Sequence, residues 1–333
     1  MKKTILSGMR PTGNLHLGNL YGALSNWIEL QKEDYNRFYF VADWHALTTG
    51  FKDSKEIPDN SIEMVADWLS FGLDEKKSTL FVQSLVKEHA ELFLLLSMAT
   101  PVGWLERVPS YKDQIAQLGK DKTSNYGFLG YPVLMAVDII IYKAHLVPVG
   151  IDQVAHLEFT REIVRHFNSS VGKDIFIEPQ PLLTQSAKIL GLDGRKMSKS
   201  YGNAIYLSDT KEETEKKLKV MFTDPRRKRR TDPGVAEECG IFMLHKIFTE
   251  KNRQDEIKHA CSKAEIGCVE CKKLLSKNLN DALEPIRQKR QELINKKDDI
   301  RDILSEGSKK ASKYAKNTLE EVRDAIFSSK RIV

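Results

Sequence analysis

The sequence predicts an α/β fold, in which a parallel β-sheet with helices on both faces is followed by an all-helical region. Up to about residue 205, short β-branched or aromatic runs alternate with longer amphipathic ones, which is typical of a parallel sheet with crossover helices. From residue 206 onward the strand pattern fades and helical spacing dominates. A chain of 333 residues is long enough for two domains, which we expect at 1–205 and 206–333.

Four buried strands are expected in the first domain. Their sequences are KTILS near the amino terminus, RFYFVAD at 37–43, STLFVQS at 78–84 and HLVPVG at 145–150. Between the first two, GNLYGALSNWIELQKE has apolar residues at helical spacing and predicts the first helix. These residues are Leu20, Leu24, Trp27, Ile28 and Leu30. Ligands of such sheets bind beyond the carboxyl ends of the strands, so the first strand-to-helix junction is a candidate binding site.

The last segment of the chain, from Asp298 onward, predicts a long helix with one apolar stripe. The residues of the stripe are Ile300, Ile303, Leu304, Ala311, Tyr314, Ala315, Leu319, Val322 and Ile326. Core packing accounts for this stripe without any functional role.

The composition is that of an ordinary globular protein, with 41% hydrophobic and 29% charged residues. No apolar window approaches the ~20 residues of a membrane span, and the amino terminus does not read as a secretory signal. We therefore expect a cytoplasmic protein that is not inserted in a membrane. Its four cysteines should then be reduced thiols or metal ligands rather than disulfides.

Positive charge is concentrated in one place. Lys and Arg number 52 against 46 for Asp and Glu, and the stretch RRKRR at 226–230, here called the basic segment, places five cations in a row. Such a run is either a solvated surface loop or a contact with a polyanionic partner such as a nucleic-acid backbone.

The junction after the first strand reads SGMRPTGNLHLGNL at 7–20. Its glycines lack the spacing of a dinucleotide fingerprint, and the chain has no glycine-rich phosphate loop ending in GK[ST]. Within it, HLGN at 16–19, here called the HLGN turn, opens the first predicted helix. Gly18 would let a base or ribose approach the backbone, while the helix N-terminus and His16 offer donors to phosphate. This pattern alone favours nucleotide binding only weakly.

A second unusual stretch is GRKMSKS at 194–200, and residues 196–200 are here called the KMSKS segment. Two lysines three positions apart, among glycine and serines, do not fit a helix core. The segment is either a charged surface loop or a loop in which Lys196 and Lys199 neutralise a polyphosphate.

Taken together, the HLGN turn and the KMSKS segment resemble the two signature sequences of class I aminoacyl-tRNA synthetases. KMSKS is intact, whereas HLGN differs from the family's H-I-G-H at Leu17 and Asn19. Asparagine at the last position is familiar in the tryptophan- and tyrosine-specific branch. The resemblance implies a Rossmann-like catalytic domain over 1–205 and an anticodon-facing helical domain over 206–333.

The stretch from 131 to 168 resembles bacterial tryptophanyl-tRNA synthetases, and the resemblance extends from ILSGMRPTG through FVADWHALTT to the C-terminal helices. It implies a tryptophan–tRNA ligase. Such an enzyme activates L-tryptophan with ATP to tryptophanyl-adenylate and pyrophosphate, then transfers the acyl group to the 3′ end of tRNA(Trp) in protein synthesis. It also implies a homodimer.

For the amino acid, the resemblance implies that Asp138 accepts a hydrogen bond from the indole N–H and that Met135 packs on the ring. Tyr131 and Gln153 would hold the ammonium and carboxylate groups. From the residues alone, Asp138 also fits a buried acid that is paired inside an apolar helix, since an unpaired carboxylate there is costly. Bacterial tyrosyl enzymes usually have Gln in place of Met135, which favours tryptophan.

For ATP, the resemblance implies contacts from several segments. These residues are Arg10, Pro11, Thr12, Gly18, Asn19, Lys112, Gly150, Ile151, Asp152, Ile189, Lys196, Met197, Ser198, Lys199 and Ser200. Gly150, Ile151 and Asp152 would contact the ribose, and Ile189 would make a backbone contact to adenine. Arg10 stands where many relatives have Gln, and a cation there suits phosphate.

The catalytic group implied by the resemblance is Lys196, Lys199, Ser198 and His16, with a Mg²⁺ carried by ATP. The substrate carboxylate is already an ionised nucleophile, so the first step needs no protein nucleophile or general base. It needs alignment and neutralisation of charge on the leaving pyrophosphate.

The four cysteines have the spacing C-x₂₁-C-x₆-C-x₂-C, at Cys239, Cys261, Cys268 and Cys271. Four small buried hydrophobic side chains would explain them, and a zinc site more often uses two C-x-x-C pairs. The stretch IGCVECKKLL resembles a subset of bacterial tryptophanyl enzymes that carries a [4Fe–4S] cluster on four cysteines. The resemblance implies such a cluster, with zinc or no metal as alternatives.

Three other functions stay open. The nearest is a tyrosyl-tRNA synthetase, which differs in the amino acid that drives pyrophosphate exchange. A second is a non-catalytic nucleotide- or RNA-binding relative, disfavoured by the intact signature residues. A third is a nucleotidyltransferase that forms a metabolite adenylate without RNA, disfavoured by the basic segment and the cysteines.

Overall fold

The computed structural model describes residues 2–108, 111–112, 115, 119, 123–183 and 189–327. Five strands form a parallel sheet in the order β3-β2-β1-β4-β5. They are β1 Thr4–Met9, β2 Asn36–Val41, β3 Thr79–Val82, β4 Leu146–Val149 and β5 Gln180–Leu183. The predicted α/β fold with a parallel sheet is confirmed.

The fifth strand was not predicted from the sequence. Its residues, QPLL, include no β-branched or aromatic side chain, and Pro181 lacks a backbone N–H. β5 lies at the edge of the sheet, next to β4, where a proline is tolerated because one side of the strand needs no partner.

Helices account for most of the remaining described residues. They are α1 Leu17–Asn19, α2 Ser25–Leu30, α3 Asp43–Gly50, α4 Ile57–Phe71, α5 Glu88–Ala99, α6 Val102–Leu105, α7 Tyr126–Ile140, α8 Val154–Val171, α9 Lys211–Val220, α10 Gly240–Phe248, α11 Lys251–Ser262, α12 Cys268–Asn295 and α13 Lys297–Phe327. Between α1 and α2 the chain makes a π-helical turn, Leu20–Leu24. Among these helices, none has the length and apolar character to cross a membrane.

Two hydrophobic cores lie on opposite faces of the sheet, because successive side chains of a strand point to opposite sides. On β2, Phe38 and Phe40 belong to one core, whereas Tyr39 and Val41 belong to the other. The second core also contains Trp27 of α2. Leu20, Leu24 and Trp27 are buried, which confirms the apolar face predicted for the helical segment between β1 and β2.

The last helix, α13, packs on the edge strand β3. The position of Gly307 is so close to this strand that a Cβ there would lie 1.7 Å from the carbonyl oxygen of Leu80. One residue later, Ser308 Oγ accepts a hydrogen bond from the N–H of Val82 at 3.2 Å. Six residues of the predicted apolar stripe are buried in the two cores, namely Ile300, Leu304, Ala311, Ala315, Leu319 and Val322, whereas Tyr314 and Ile326 are exposed. The domain boundary at 205 stays a prediction.

Candidate active site

A cavity of about 500 Å³ opens at the carboxyl ends of β1 and β4. This is where parallel α/β sheets bind their ligands. Six of the residues singled out in the sequence line it, namely Arg10, Tyr131, Met135, Asp138, Gly150 and Gln153. Burial lowers the pKa of Arg10, and the nearby Tyr131 opposes this change only partly.

All four residues expected at the amino acid lie on this cavity. Tyr131, Met135 and Asp138 lie on α7, and their spacing of four and three residues places them on one face of the helix. Gln153 reaches the cavity from a short 3₁₀ turn, Ile151–Gln153, just after β4. The fold therefore brings these side chains together from two separate elements.

Asp138 is held by a buried hydrogen-bond network. Its Oδ2 lies 2.8 Å from His45 Nε2, and its Oδ1 lies 2.7 Å from both Gln83 Nε2 and His89 Nδ1. The other ring nitrogen of His89 lies 2.7 Å from the Tyr142 hydroxyl. Burial raises the pKa of Asp138, but the hydrogen bonds and charges of His45 and His89 outweigh it and leave the pKa below its usual value.

The network leaves Asp138 able to accept one more hydrogen bond. Two carboxylate oxygens have about four acceptor positions, and the three side chains above occupy three of them. Asp138 is 2% exposed and borders the cavity. Its two sequence interpretations are thus compatible, because a paired buried acid can still accept from a bound indole.

Sequence reasoning did not single out His45, Gln83 or His89. His45 follows the carboxyl end of β2 within the stretch FVADWHALTT, a position that could have marked it. Gln83 directly follows the carboxyl end of β3, so the same signal could have marked it, whereas His89 lies on α5 and carries no such signal.

The HLGN turn is closed by its own side chains. His16 Nδ1 accepts from the N–H of Asn19 at 3.3 Å, and Asn19 Oδ1 accepts from the N–H of His16 at 3.2 Å. A Cβ at Gly18 would lie 2.9 Å from the His16 ring, which explains the glycine. Burial, and then the charge of Lys196, lower the pKa of His16 to about 4, so the ring is neutral at pH 7.

The KMSKS segment lies directly against this turn. Lys199 Nζ donates to the carbonyl oxygen of Thr12 at 2.6 Å. Met197 is buried in the core, and its Cβ lies 3.6 Å from where a Cβ of Gly18 would be. Lys196 is near enough to His16 to lower its pKa. Both lysines are therefore on the same side of the cleft as the first helix.

Backbone pairing fixes this arrangement. The N–H of Leu17 donates to the carbonyl of Ile205 at 2.9 Å, and the N–H of Leu207 donates to the carbonyl of Leu15 at 3.1 Å. Residues 205–207 follow the KMSKS segment closely in the chain, so the two signature sequences form one structural unit.

The other expected ATP residues differ in their surroundings. Pro11 is buried, whereas Lys112, Ser200 and Ile151 are exposed.

The side chain of Ile189 is buried, and its backbone carbonyl accepts a hydrogen bond from the N–H of Met197 at 3.0 Å. Ser198 Oγ lies 2.9 Å from Ser200 Oγ. The side chain of Asp152 lies outside the described residues.

The four cysteines lie around one small cavity, next to Arg227. Burial raises the pKa of Cys271 to about 12, and the other three cysteines add to this effect. Across the described residues, no three His, Cys, Asp or Glu side chains are arranged to hold a metal ion. The [4Fe–4S] cluster and the zinc alternative therefore lack support in this geometry and stay predictions.

Two cations of the basic segment are engaged within the protein. Arg226 pairs with Asp224 and Glu238. Arg227 donates to three backbone carbonyls and lies 3.6 Å from the sulfur of Cys261. The remaining three, Lys228, Arg229 and Arg230, are exposed. The segment is therefore partly structural and partly an open cationic surface.

Comparison with known proteins places this site in a family. The sequence model of the protein family described as tRNA synthetases class I (W and Y) matches residues 2–284 of this chain. The tryptophan–tRNA ligase of Thermotoga maritima is 49% identical over 97% of this chain and 98% of its own length. That of Aquifex aeolicus is 45% identical over 97% of this chain and 99% of its own length.

A solved structure agrees with these relatives. Tryptophanyl-tRNA synthetase from Campylobacter jejuni, complexed with ADP and tryptophan, superposes with a TM-score of 0.88 at 35% identity, covering 97% of this chain and 99% of that one. This similarity confirms the Rossmann-like fold with a helical C-terminal region. The chain therefore belongs to the class I aminoacyl-tRNA synthetases of the tryptophan and tyrosine family, and within it to the bacterial tryptophan–tRNA ligases.

Proposed function

We propose that the cavity binds L-tryptophan, and that the HLGN turn and the KMSKS segment bind ATP beside it. The tryptophan carboxylate then attacks the α-phosphorus, which forms tryptophanyl-adenylate and releases pyrophosphate. The acyl group passes in a second step to the 3′ end of tRNA(Trp). The observation that carries the proposal is the contact of Lys199 with the Thr12 carbonyl, which brings a cation to the turn beside the cavity.

Asp138 is the proposed selector for the indole ring. Asp138 borders a cavity lined mostly by apolar side chains, in which a ligand without a donor would leave the carboxylate under-bonded. A site that is built on one hydrogen bond can reject an analogue without the donor by ~10⁴–10⁵, so phenylalanine is excluded. Met135 offers a tyrosine hydroxyl only the weak acceptor of a thioether sulfur, in place of the Gln that is usual in bacterial tyrosyl enzymes, which favours tryptophan.

For the chemistry, the chain supplies alignment and positive charge. Lys196 and Lys199 stabilise the charge that develops on the leaving pyrophosphate, and Ser198 and the neutral ring of His16 donate hydrogen bonds to phosphate oxygens. The Mg²⁺ that accompanies ATP neutralises further phosphate charge. A reaction with an ionised carboxylate as nucleophile needs no base from the protein.

Amino-acid-dependent ATP–pyrophosphate exchange, measured for all twenty amino acids, tests this function. We expect tryptophan alone to support exchange. Exchange driven by tyrosine would identify the rival synthetase. No exchange with any amino acid would favour the non-catalytic relative or an adenylating enzyme for another metabolite.

We further propose that Cys239, Cys261, Cys268 and Cys271 hold a structural [4Fe–4S] cluster without redox turnover. Support comes from four thiols around one cavity, the ligand set of such clusters. Iron and sulfide analysis after anaerobic purification tests this, with Cys271→Ser as the control. Zinc, or no metal, would support one of the alternatives.

The helical region over 206–333 is proposed to face the anticodon, with Lys228, Arg229 and Arg230 on the tRNA backbone. The resemblance to the family also supports a homodimer. Sedimentation velocity tests the dimer, for which we expect the mass of two 38.0 kDa chains. A single-chain mass at micromolar concentration would contradict it.

A further inference from the structure

Asp67, on α4, is completely buried and lies beneath the HLGN turn. Its Oδ2 accepts a hydrogen bond from the N–H of Leu15 at 3.1 Å, one residue before His16. Its Oδ1 accepts from Arg290 Nε at 2.5 Å, and Arg290 comes from the distant helix α12. We propose that Asp67 is a positioning residue for the ATP-binding turn, and that Arg290 fixes its orientation. This inference rests on the proposed function.

The turn depends on few backbone contacts. On one side, Leu15 and Leu17 pair with residues 205–207, which belong to the same segment as the KMSKS lysines. On the other side, Asp67 lies on α4 in the body of the fold and accepts a hydrogen bond from the N–H of Leu15. Without this second contact, the buried side chains of Leu15 and Leu17 would still anchor the turn, but the backbone just before His16 would lose the hydrogen bond that fixes its position against α4.

The chemistry of the pair fits positioning better than stability. The backbone N–H of Leu15 needs only one hydrogen-bond acceptor, which a serine or a water molecule could supply. The acceptor present is instead the buried carboxylate of Asp67. Arg290, whose side chain is 11% exposed, also bonds Glu63, and Lys297 lies 3.4 Å from that Glu63. Replacing buried ion pairs by apolar residues is often neutral or stabilising. What the pair adds is a carboxylate with one oxygen fixed by a planar guanidinium and the other directed at the turn.

The test uses the full-length enzyme with three changes. Asp67→Asn keeps the size and removes the charge. Arg290→Lys keeps the charge and removes the fixed geometry. The double variant Asp67→Ala with Arg290→Met removes both charges together, which avoids an unpaired buried ion. The matched control is Arg323→Gln, which breaks a two-bond pair with Glu91 between α13 and α5, away from the turn.

We expect the KM for ATP to rise, or kcat to fall, by about tenfold or more in Asp67→Asn and in the double variant, because misalignment of reacting groups is costly. The KM for tryptophan should stay within about twofold, since the contacts of Asp138 are untouched. Arg290→Lys should lie between these variants and the wild type. Arg323→Gln should keep the wild-type values even if its melting temperature falls.

Hydrogen exchange at the Leu15 amide gives a readout that does not depend on activity. Faster exchange at this amide, relative to the global rate, is expected in Asp67→Asn and the double variant. Lower melting temperatures with unchanged ATP kinetics and unchanged Leu15 exchange would overturn the inference. A wild-type enzyme without tryptophan-dependent exchange activity, but with faster Leu15 exchange in the variants, would overturn the proposed function alone.

Discussion

Asp138 illustrates how a buried carboxylate beside a cavity stays ionised. His45, Gln83 and His89 donate to its oxygens, and the Tyr142 hydroxyl lies against the far nitrogen of His89. These donors compensate the cost of burial. Because one acceptor position remains, the same network that keeps the charge also orients it toward the cavity.

Replacement of Asp138 by Asn should weaken tryptophan binding. A hydrogen bond to a charged acceptor contributes about 1.5–3 kcal/mol, so the dissociation constant should rise between about tenfold and a hundredfold. Equilibrium binding of tryptophan measures this effect, with the exposed Asp53→Asn as control. Unchanged affinity in Asp138→Asn would show that the indole is recognised elsewhere.

His16 should contribute to the pH dependence of stability. Burial, followed by the charge of Lys196, lowers its pKa from 6.5 to about 4. Between these two values the unfolded chain binds a proton that the folded protein does not, so stability falls as the pH drops through this window. In His16→Gln, urea unfolding between pH 7 and about 4.5 should show a smaller loss of stability than the wild type. Equal losses would contradict the lowered pKa.

Among the elements, the first helix and the KMSKS segment are joined by short backbone pairing rather than by a long interface. The bridge between His16 and Tyr206 and the burial of Met197 hold the segment in place. The side chains of Lys196 and Lys199, by contrast, are exposed, and Lys199 Nζ donates to the Thr12 carbonyl. An anchored backbone with exposed charged side chains suits the proposed contact with a triphosphate.

The basic segment makes a prediction about tRNA binding. Arg226 and Arg227 are engaged within the protein, so the salt dependence should come mainly from Lys228, Arg229 and Arg230. Replacing these three by Ala should reduce the slope of log affinity against log salt by up to about 2. Filter binding at several salt concentrations measures the slope. Lys251→Ala, on α11, is the matched surface control, and an unchanged slope in the triple variant would contradict a backbone contact.

At the scale of the whole molecule, the C-terminal helices are part of the structure around the sheet. α13 packs on β3, and α12 reaches Asp67 through Arg290. Periodicity predicted most of the apolar stripe of α13 correctly, although Tyr314 and Ile326 are exposed, and it gives no information on what covers a stripe. The expected division at residue 205 therefore describes a change in pattern along the chain, and a domain boundary there remains to be tested.

The sequence predicted the parts of the site that are encoded locally. The HLGN turn and the KMSKS segment are each a few adjacent residues, and they were recognised because together they resemble the two signature sequences of class I aminoacyl-tRNA synthetases. The network around Asp138 is different, because His45 reaches it across 93 residues and nothing in the local pattern marks the pairing. β5 was missed for a related reason, since its strand conformation depends on its neighbour β4 and not on its own residues.

Lys199 and the turn around Gly18 are proposed to act together on ATP. Single-turnover formation of tryptophanyl-adenylate by Lys199→Ala tests this claim most directly. We expect the rate to fall by about two to three orders of magnitude, while tryptophan affinity and the rate of a Lys32→Ala control stay at wild-type values. A near wild-type rate in Lys199→Ala would contradict the claim.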